Sequence, residues 1–214
     1  MKKLIIAVLI ALVAPRTTYA QGTTYLSNLG NASTGSSAVG SDSWLAAAFH
    51  PGNSSGGYIL DSVQIAMAGV SGAPTGFTVM LYAGFFPESR LASLSGSPNP
   101  STAGVYDYTP ATSLILAQGT YYNVVLTAGT PVANGAYEWS TALNAFNASD
   151  GWAGYYAGAS FNYRSTDGLS WYGSGSAPGV FQYAINATPV PEPPISCFFV
   201  LGGLSLMWLR RKGG

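Results

Sequence analysis

Through the middle of the chain apolar and polar residues alternate one by one. In YILDSVQIAMAG (58–69) Val63, Ile65 and Met67 are interleaved with Ser62, Gln64 and Ala66. In FTVMLYAG (77–84) Phe77, Val79 and Leu81 are interleaved with Thr78, Met80 and Tyr82. A period of two places one set of side chains on a core and the other on the opposite face, which is the signature of a β-strand. Further strands are predicted at SWLAAAF (43–49), GVYDYT (104–109), TYYNVVLT (120–127), AYEWST (136–141), GWAGYYA (151–157), SFNYRS (160–165) and VFQYAINA (180–187). Turn-forming pairs separate them, among them Pro51-Gly52, Gly56-Gly57, Asn134-Gly135, Asp150-Gly151, Asp167-Gly168 and Pro178-Gly179. Asn134-Gly135 reads as a hairpin turn, and Leu91 to Leu94 as a short turn and nothing longer. No segment between the two ends sustains a helical period for three turns. The expectation is an all-β fold, an antiparallel two-sheet sandwich of jelly-roll type.

Both ends depart from this pattern. Lys2 and Lys3 precede an apolar run from Leu4 to Val13, and a more polar stretch ends at Ala20. Residues 1–20 thus read as a signal peptide handled by the Sec translocon and cleaved after Ala20. At the other end Val190, Pro191, Glu192 and Pro193 precede the apolar run Ile195 to Leu209, and Arg210, Arg211 and Lys212 follow. Fifteen residues make roughly 22 Å of helix against a hydrocarbon core of about 30 Å, a marginal span. The basic cluster would stay on the cytoplasmic side. Such a tail can hold a chain in a membrane for a time.

This order of Pro-Glu-Pro step, single transmembrane helix and basic stop resembles the PEP-CTERM sorting signal of Gram-negative bacteria that make exopolysaccharide. The resemblance covers residues 190–214. It implies recognition by an exosortase, a membrane-embedded cysteine transpeptidase that cuts near the motif, so that the hydrophobic tail is absent from the mature protein. The expected location is the inner membrane as an intermediate, then the cell surface or the extracellular matrix.

Setting the ends aside changes the charge picture. The whole chain has eight basic and eight acidic residues, but residues 21–189 retain only Arg90 and Arg164 against seven carboxylates, a balance of −5. Two cations cannot form the basic stripe that nucleic-acid binding needs, and that class is excluded. The single cysteine, Cys197, belongs to the tail, so residues 21–189 have neither a disulfide nor a cysteine-ligated metal. Hydrophobic residues at 48% and aromatics at 13% suffice for one packed domain despite the 27 glycines.

A second resemblance runs along this domain. YLSNLG, SWLAAAFHPGNSSGGYILDSVQIAM, FTVMLYAG, RLASLSGS and LAQGTYYNVVL are similar to words of the choice-anchor domains, type R in particular. That family is a group of exported β-sandwich domains found ahead of PEP-CTERM tails. It implies no enzymatic activity and supplies no catalytic residue.

The residues offer little chemistry of their own. Triads and most metal sites need histidine, and the only one, His50, sits between Phe49 and Pro51 at a strand end. Glu88 and Glu138 are the nominal pair for glycoside cleavage, and Asp150 and Asp167 could ligate calcium, but each Asp precedes Gly as turn formers do. No cofactor or metal is expected, and the chain is not expected to be an enzyme. Carbohydrate binding is the stronger competitor. GWAGYYAGASFNYRSTDGLSWYG (151–173) gathers Trp152, Tyr155, Tyr156, Tyr163, Trp171 and Tyr172 as candidate stacking residues near Asn162, Arg164 and Asp167. The expected role is structural or adhesive within extracellular polysaccharide, with a carbohydrate-binding module and a surface glycosidase as alternatives.

Overall fold

In the computed structural model, residues 22–143, 146–156, 159–160, 162–173 and 179–191 are described. Their strands in chain order are β1 (Thr23–Ser27), β2 (Ser33–Val39), β3 (Trp44–Phe49), β4 (Tyr58–Gly72), β5 (Thr78–Ala83), β6 (Ser89–Gly96), β7 (Gly104–Pro110), β8 (Ile115–Leu116) and β9 (Tyr122–Thr127). A 3₁₀ turn at Val132–Asn134 leads to β10 (Gly135–Ala142). There follow β11 (Asn147–Ala148), β12 (Tyr155–Tyr156), β13 (Ala159–Ser160), β14 (Asn162–Ser165), β15 (Tyr172–Gly173), β16 (Val180–Phe181) and β17 (Tyr183–Pro189). No α-helix occurs among the described residues, and the fold is all-β, as the alternation predicts.

Fifteen of these strands form one antiparallel sheet whose main path runs β11, β1, β17, β4, β7, β6, β5, β9, β3, β14, β15; β12 and β13 pair only with each other. The sheet curls, because strands far apart along that path share one core. Leu45, Ala47 and Phe49 of β3, Val79 and Leu81 of β5, and Val124 and Leu126 of β9 pack with Leu60, Val63, Ile65 and Met67 of β4 and with Tyr183 and Ile185 of β17. The long β4 makes the curl possible: β17 covers it from Tyr58 to Ile65 and β10 from Met67 to Gly72.

Gln182 marks the junction where the last strand passes from β10 to β4. Its backbone N–H donates to the Ser140 carbonyl at 2.9 Å and its carbonyl accepts from Ala66 at 3.1 Å. Its buried amide accepts from Ser140 Oγ at 2.7 Å and donates to the Asn28 and Asn31 carbonyls at 3.3 and 2.8 Å. A buried polar side chain this well satisfied fixes the crossing point, since a slip would strand several groups without partners.

Two expectations fail. Asn134-Gly135 is not a hairpin between adjacent strands: β9 pairs with β3 and β5, whereas β10 pairs with β2, β4 and β16. The chain uses this stretch to cross from one side of the core to the other. Gly135, at φ 145°, lies so close to Ala73 that an added Cβ would stand 2.8 Å from its nitrogen. The turn expected at 91–94 is instead part of β6, paired with β5 and β7. Only Leu94 in that strand is buried, so its alternation is weak.

Candidate functional site

The strands β3, β5 and β9 are covered on both faces, and β14 adds one side chain to the outer layer. Their outward residues Ala46, Ala48, Met80, Val125 and Tyr163 form a second apolar cluster, with Trp44, Tyr82 and Trp171 packed against it. This outer layer carries the aromatic concentration noted in the sequence, together with rings from the β5–β6 turn. Phe86 lies 5.0 Å from Tyr163 between ring centroids, and Phe85 lies 5.3 Å from both Phe86 and Tyr121.

Between the β5–β6 turn and the turn leading into β15 lies a groove of about 470 Å³, lined by Tyr82, Phe86, Pro87, Glu88, Arg90, Gly168, Leu169 and Trp171. The first wall is set by sequence geometry. Gly84, at φ 114°, turns the chain where an added Cβ would meet the Phe86 carbonyl at 2.6 Å. The buried Asn123 amide clamps the Gly84 carbonyl at 2.8 Å. The Glu88 N–H donates to the Ala83 carbonyl at 3.2 Å. The second wall hangs on Asp167. Its carboxylate accepts from the Ser170 and Leu169 N–H groups, each at 2.8 Å, and from Ser165 Oγ at 2.8 Å. These hydrogen bonds, the one from Ser170 first, hold its carboxyl down at about 2. Gly168, at φ 72°, brings the backbone against the Trp44 ring, 2.9 Å from an added Cβ.

Chemically the groove joins three aromatic rings with one carboxylate and one guanidinium. Arg90 stands opposite Tyr82 across the β5–β6 ladder and donates to Ser93 Oγ. The Trp171 indole N–H is buried and meets no acceptor among the described residues. Burial, reinforced by the neighbouring Tyr121, pushes the Tyr163 phenol up to about 12. The groove can stack and hydrogen-bond a ligand; among its lining residues only Glu88 is a carboxylate.

The nominated carbohydrate-stacking residues divide. Trp171 lines the groove, and Tyr172 is 68% exposed beside it without lining it. Trp152 is a correction: at 4% exposure it belongs to the main core, stacked on Tyr25 and Phe49 and edge-on to Tyr58, and offers no platform to a ligand. Tyr163 is likewise buried, as a member of the outer cluster rather than a contact surface. Tyr155 and Tyr156 form β12, and their side chains lie outside the described residues, as do those of the whole 155–161 stretch. Sequence reasoning missed Tyr82, Phe86 and Arg90. The available signal was the apolar pair Phe85-Phe86 between Gly84 and Pro87, where a turn should be polar.

Glu88 and Glu138 are not brought together. Glu88 lines the groove, whereas Glu138 sits on β10 between β2 and β4 and accepts from Ser36 Oγ at 2.8 Å. His50 exchanges backbone hydrogen bonds with Ala153, and its ring meets Tyr121 edge-on. No group of three or more metal-ligating side chains is found among the described residues. Of the sorting motif, Val190 and Pro191 are described, while Glu192, Pro193, Arg210, Arg211 and Lys212 lie outside the described residues, as does the segment 1–20. Compared with protein-family models, with curated proteins and with solved structures, the chain matches none.

Proposed function

We propose that this chain is an exported surface or matrix protein of a Gram-negative bacterium, processed by an exosortase and serving a structural or adhesive role in extracellular polysaccharide. The observation that carries the reading is the order Val190-Pro191-Glu192-Pro193, apolar run, Arg210-Arg211-Lys212. In this reading residues 21–189 form a jelly-roll-like sandwich of choice-anchor type, and the curled sheet with strands on either side of one core supports it. The strand pairing is also in keeping with processing at the tail. Strand β17 runs to Pro189, and the Val190 N–H still donates to the Gly57 carbonyl at 3.0 Å, so the motif begins where the sheet ends. The start of β1 pairs with the end of β17, Thr23 opposite Ala187, so both targeting segments would leave from the same end of these strands. A fold without disulfides suits export if packing alone carries it, and the continuous core of aliphatic and aromatic side chains supplies that packing.

Mass spectrometry of protein released by a host with an exosortase tests the reading. The expected product lacks Ile195 to Gly214. Surface material that keeps Arg210-Arg211-Lys212 throughout would overturn it.

A further inference from the structure

We propose that the groove between the β5–β6 turn and the turn before β15 is a binding site for a neutral β-linked hexopyranose chain. The inference deepens the matrix reading by naming the contact with polysaccharide, and it rests on that reading only for where the ligand would be met.

Tyr82 and Phe86, from the end of β5 and the turn after it, and Trp171, from the turn before β15, converge on one groove. Pyranose rings with equatorial hydroxyls present apolar C–H faces, which stack on aromatic faces, while their hydroxyls both donate and accept hydrogen bonds. Glu88 supplies acceptors and Arg90 supplies donors beyond the one spent on Ser93. The lining exposes polar and apolar surface in nearly equal parts, which suits a ligand that is itself amphipathic, and its volume falls within the range of about 300–1,000 Å³ usual for small-ligand sites. Phe86 remains 42% exposed and Leu169 85% exposed at the rim, apolar surface that a ligand would cover.

Charge decides between classes of sugar. The opposite charges of Glu88 and Arg90 balance within the lining, while the Asp167 carboxylate beside the second wall and a domain balance of −5 make the surroundings negative. A polyuronate would meet repulsion on approach, and a neutral glycan would not. The two walls are held by backbone hydrogen bonds and by Asp167, so little ordering would be spent on binding. Among the described lining residues Glu88 is the one carboxylate, short of the pair that glycoside cleavage ordinarily uses.

The test is calorimetric titration of the full chain, purified in detergent, with cellohexaose and with a galacturonate hexamer as the charged control. Cellohexaose should bind, and the uronate should bind at least roughly tenfold more weakly. Trp171→Ala and Tyr82→Ala should each weaken cellohexaose binding roughly tenfold, while Tyr172→Ala leaves it unchanged. Because Trp171 also packs on the outer cluster, Glu88→Gln and Arg90→Gln provide surface variants that should weaken binding about threefold or more without unfolding the sheet. No binding of cellohexaose at about 10 mM, equal binding by all groove variants, or a preference for the uronate would each overturn the proposal. A cleaved tail with no sugar binding would remove this inference alone, and sugar binding by protein that is never processed would remove the sorting reading alone.

Discussion

The Tyr183 hydroxyl on β17 donates to the Ala48 carbonyl on β3 at 2.9 Å, joining two strands that are far apart along the sheet path. Both groups are fully buried. Removing the donor leaves a buried carbonyl without this partner, so Tyr183→Phe should destabilise the domain by about 1–3 kcal/mol while leaving the fold intact. Urea unfolding followed by tryptophan fluorescence measures this, and an unchanged midpoint would show that the curl does not depend on the bond.

The same burial predicts an alkaline limit. Tyr183 and Tyr108 are pushed well above the ordinary phenol value, and Tyr137 is raised as well, in each case chiefly because burial penalises the phenolate. A raised folded-state pKa means that stability is fully present below the unfolded value of about 10 and is lost as pH rises through the folded values. Residues 21–189 contain no lysine or cysteine to confuse the effect. Thermal midpoints should therefore be flat across neutral pH and fall above pH 10. Tyr183→Phe should show a shallower fall.

The strands with strict alternation were legible because one burial rule determined them. Strand β4 carries Val63, Ile65 and Met67 inward as expected, and β5 turns Val79 and Leu81 to the same core, whereas β9 was legible as an apolar run buried at every position and not by alternation. Strand β2 (STGSSAV) was not legible, since it buries only Ser37 and Val39 and its remaining polar residues read as loop. The hairpin at Asn134-Gly135 misled because the same dipeptide serves any tight reversal, and pairing is decided by residues far away in sequence. The groove was half legible. Trp171 stood in the aromatic stretch, but Tyr82, Phe86 and Arg90 meet it only because strand pairing sets β5 and β6 near β14 and β15 in one sheet.

Trp152 and Tyr172 provide a direct check on which aromatics belong to the core. Trp152 fills the space among Tyr25, Phe49 and Tyr58, and its truncation would leave a cavity in a packed interior. Trp152→Ala should cost about 3–5 kcal/mol. Tyr172→Ala, at an exposed site, should fall within about 0.5 kcal/mol of the parent. Equal effects of the two substitutions in denaturant melts would contradict the assignment of Trp152 to the core.

Asp167 controls the wall that carries Leu169 and Trp171, and it should do so in a pH-dependent way. Its depressed pKa, caused first by the Ser170 N–H and then by the Leu169 N–H and Ser165 Oγ, means that the carboxylate favours the folded turn. The contribution is complete above the ordinary value of 3.8 and is lost as pH falls through about 2. Amide exchange should therefore show Leu169 and Ser170 protected at neutral pH and unprotected in strong acid, before the central strands β4 and β9 open. In Asp167→Ala the same two amides should exchange quickly at neutral pH, because the acceptor is absent at every pH. Protection unchanged by that substitution would mean that the turn is held by its packing on Trp44 and not by the carboxylate.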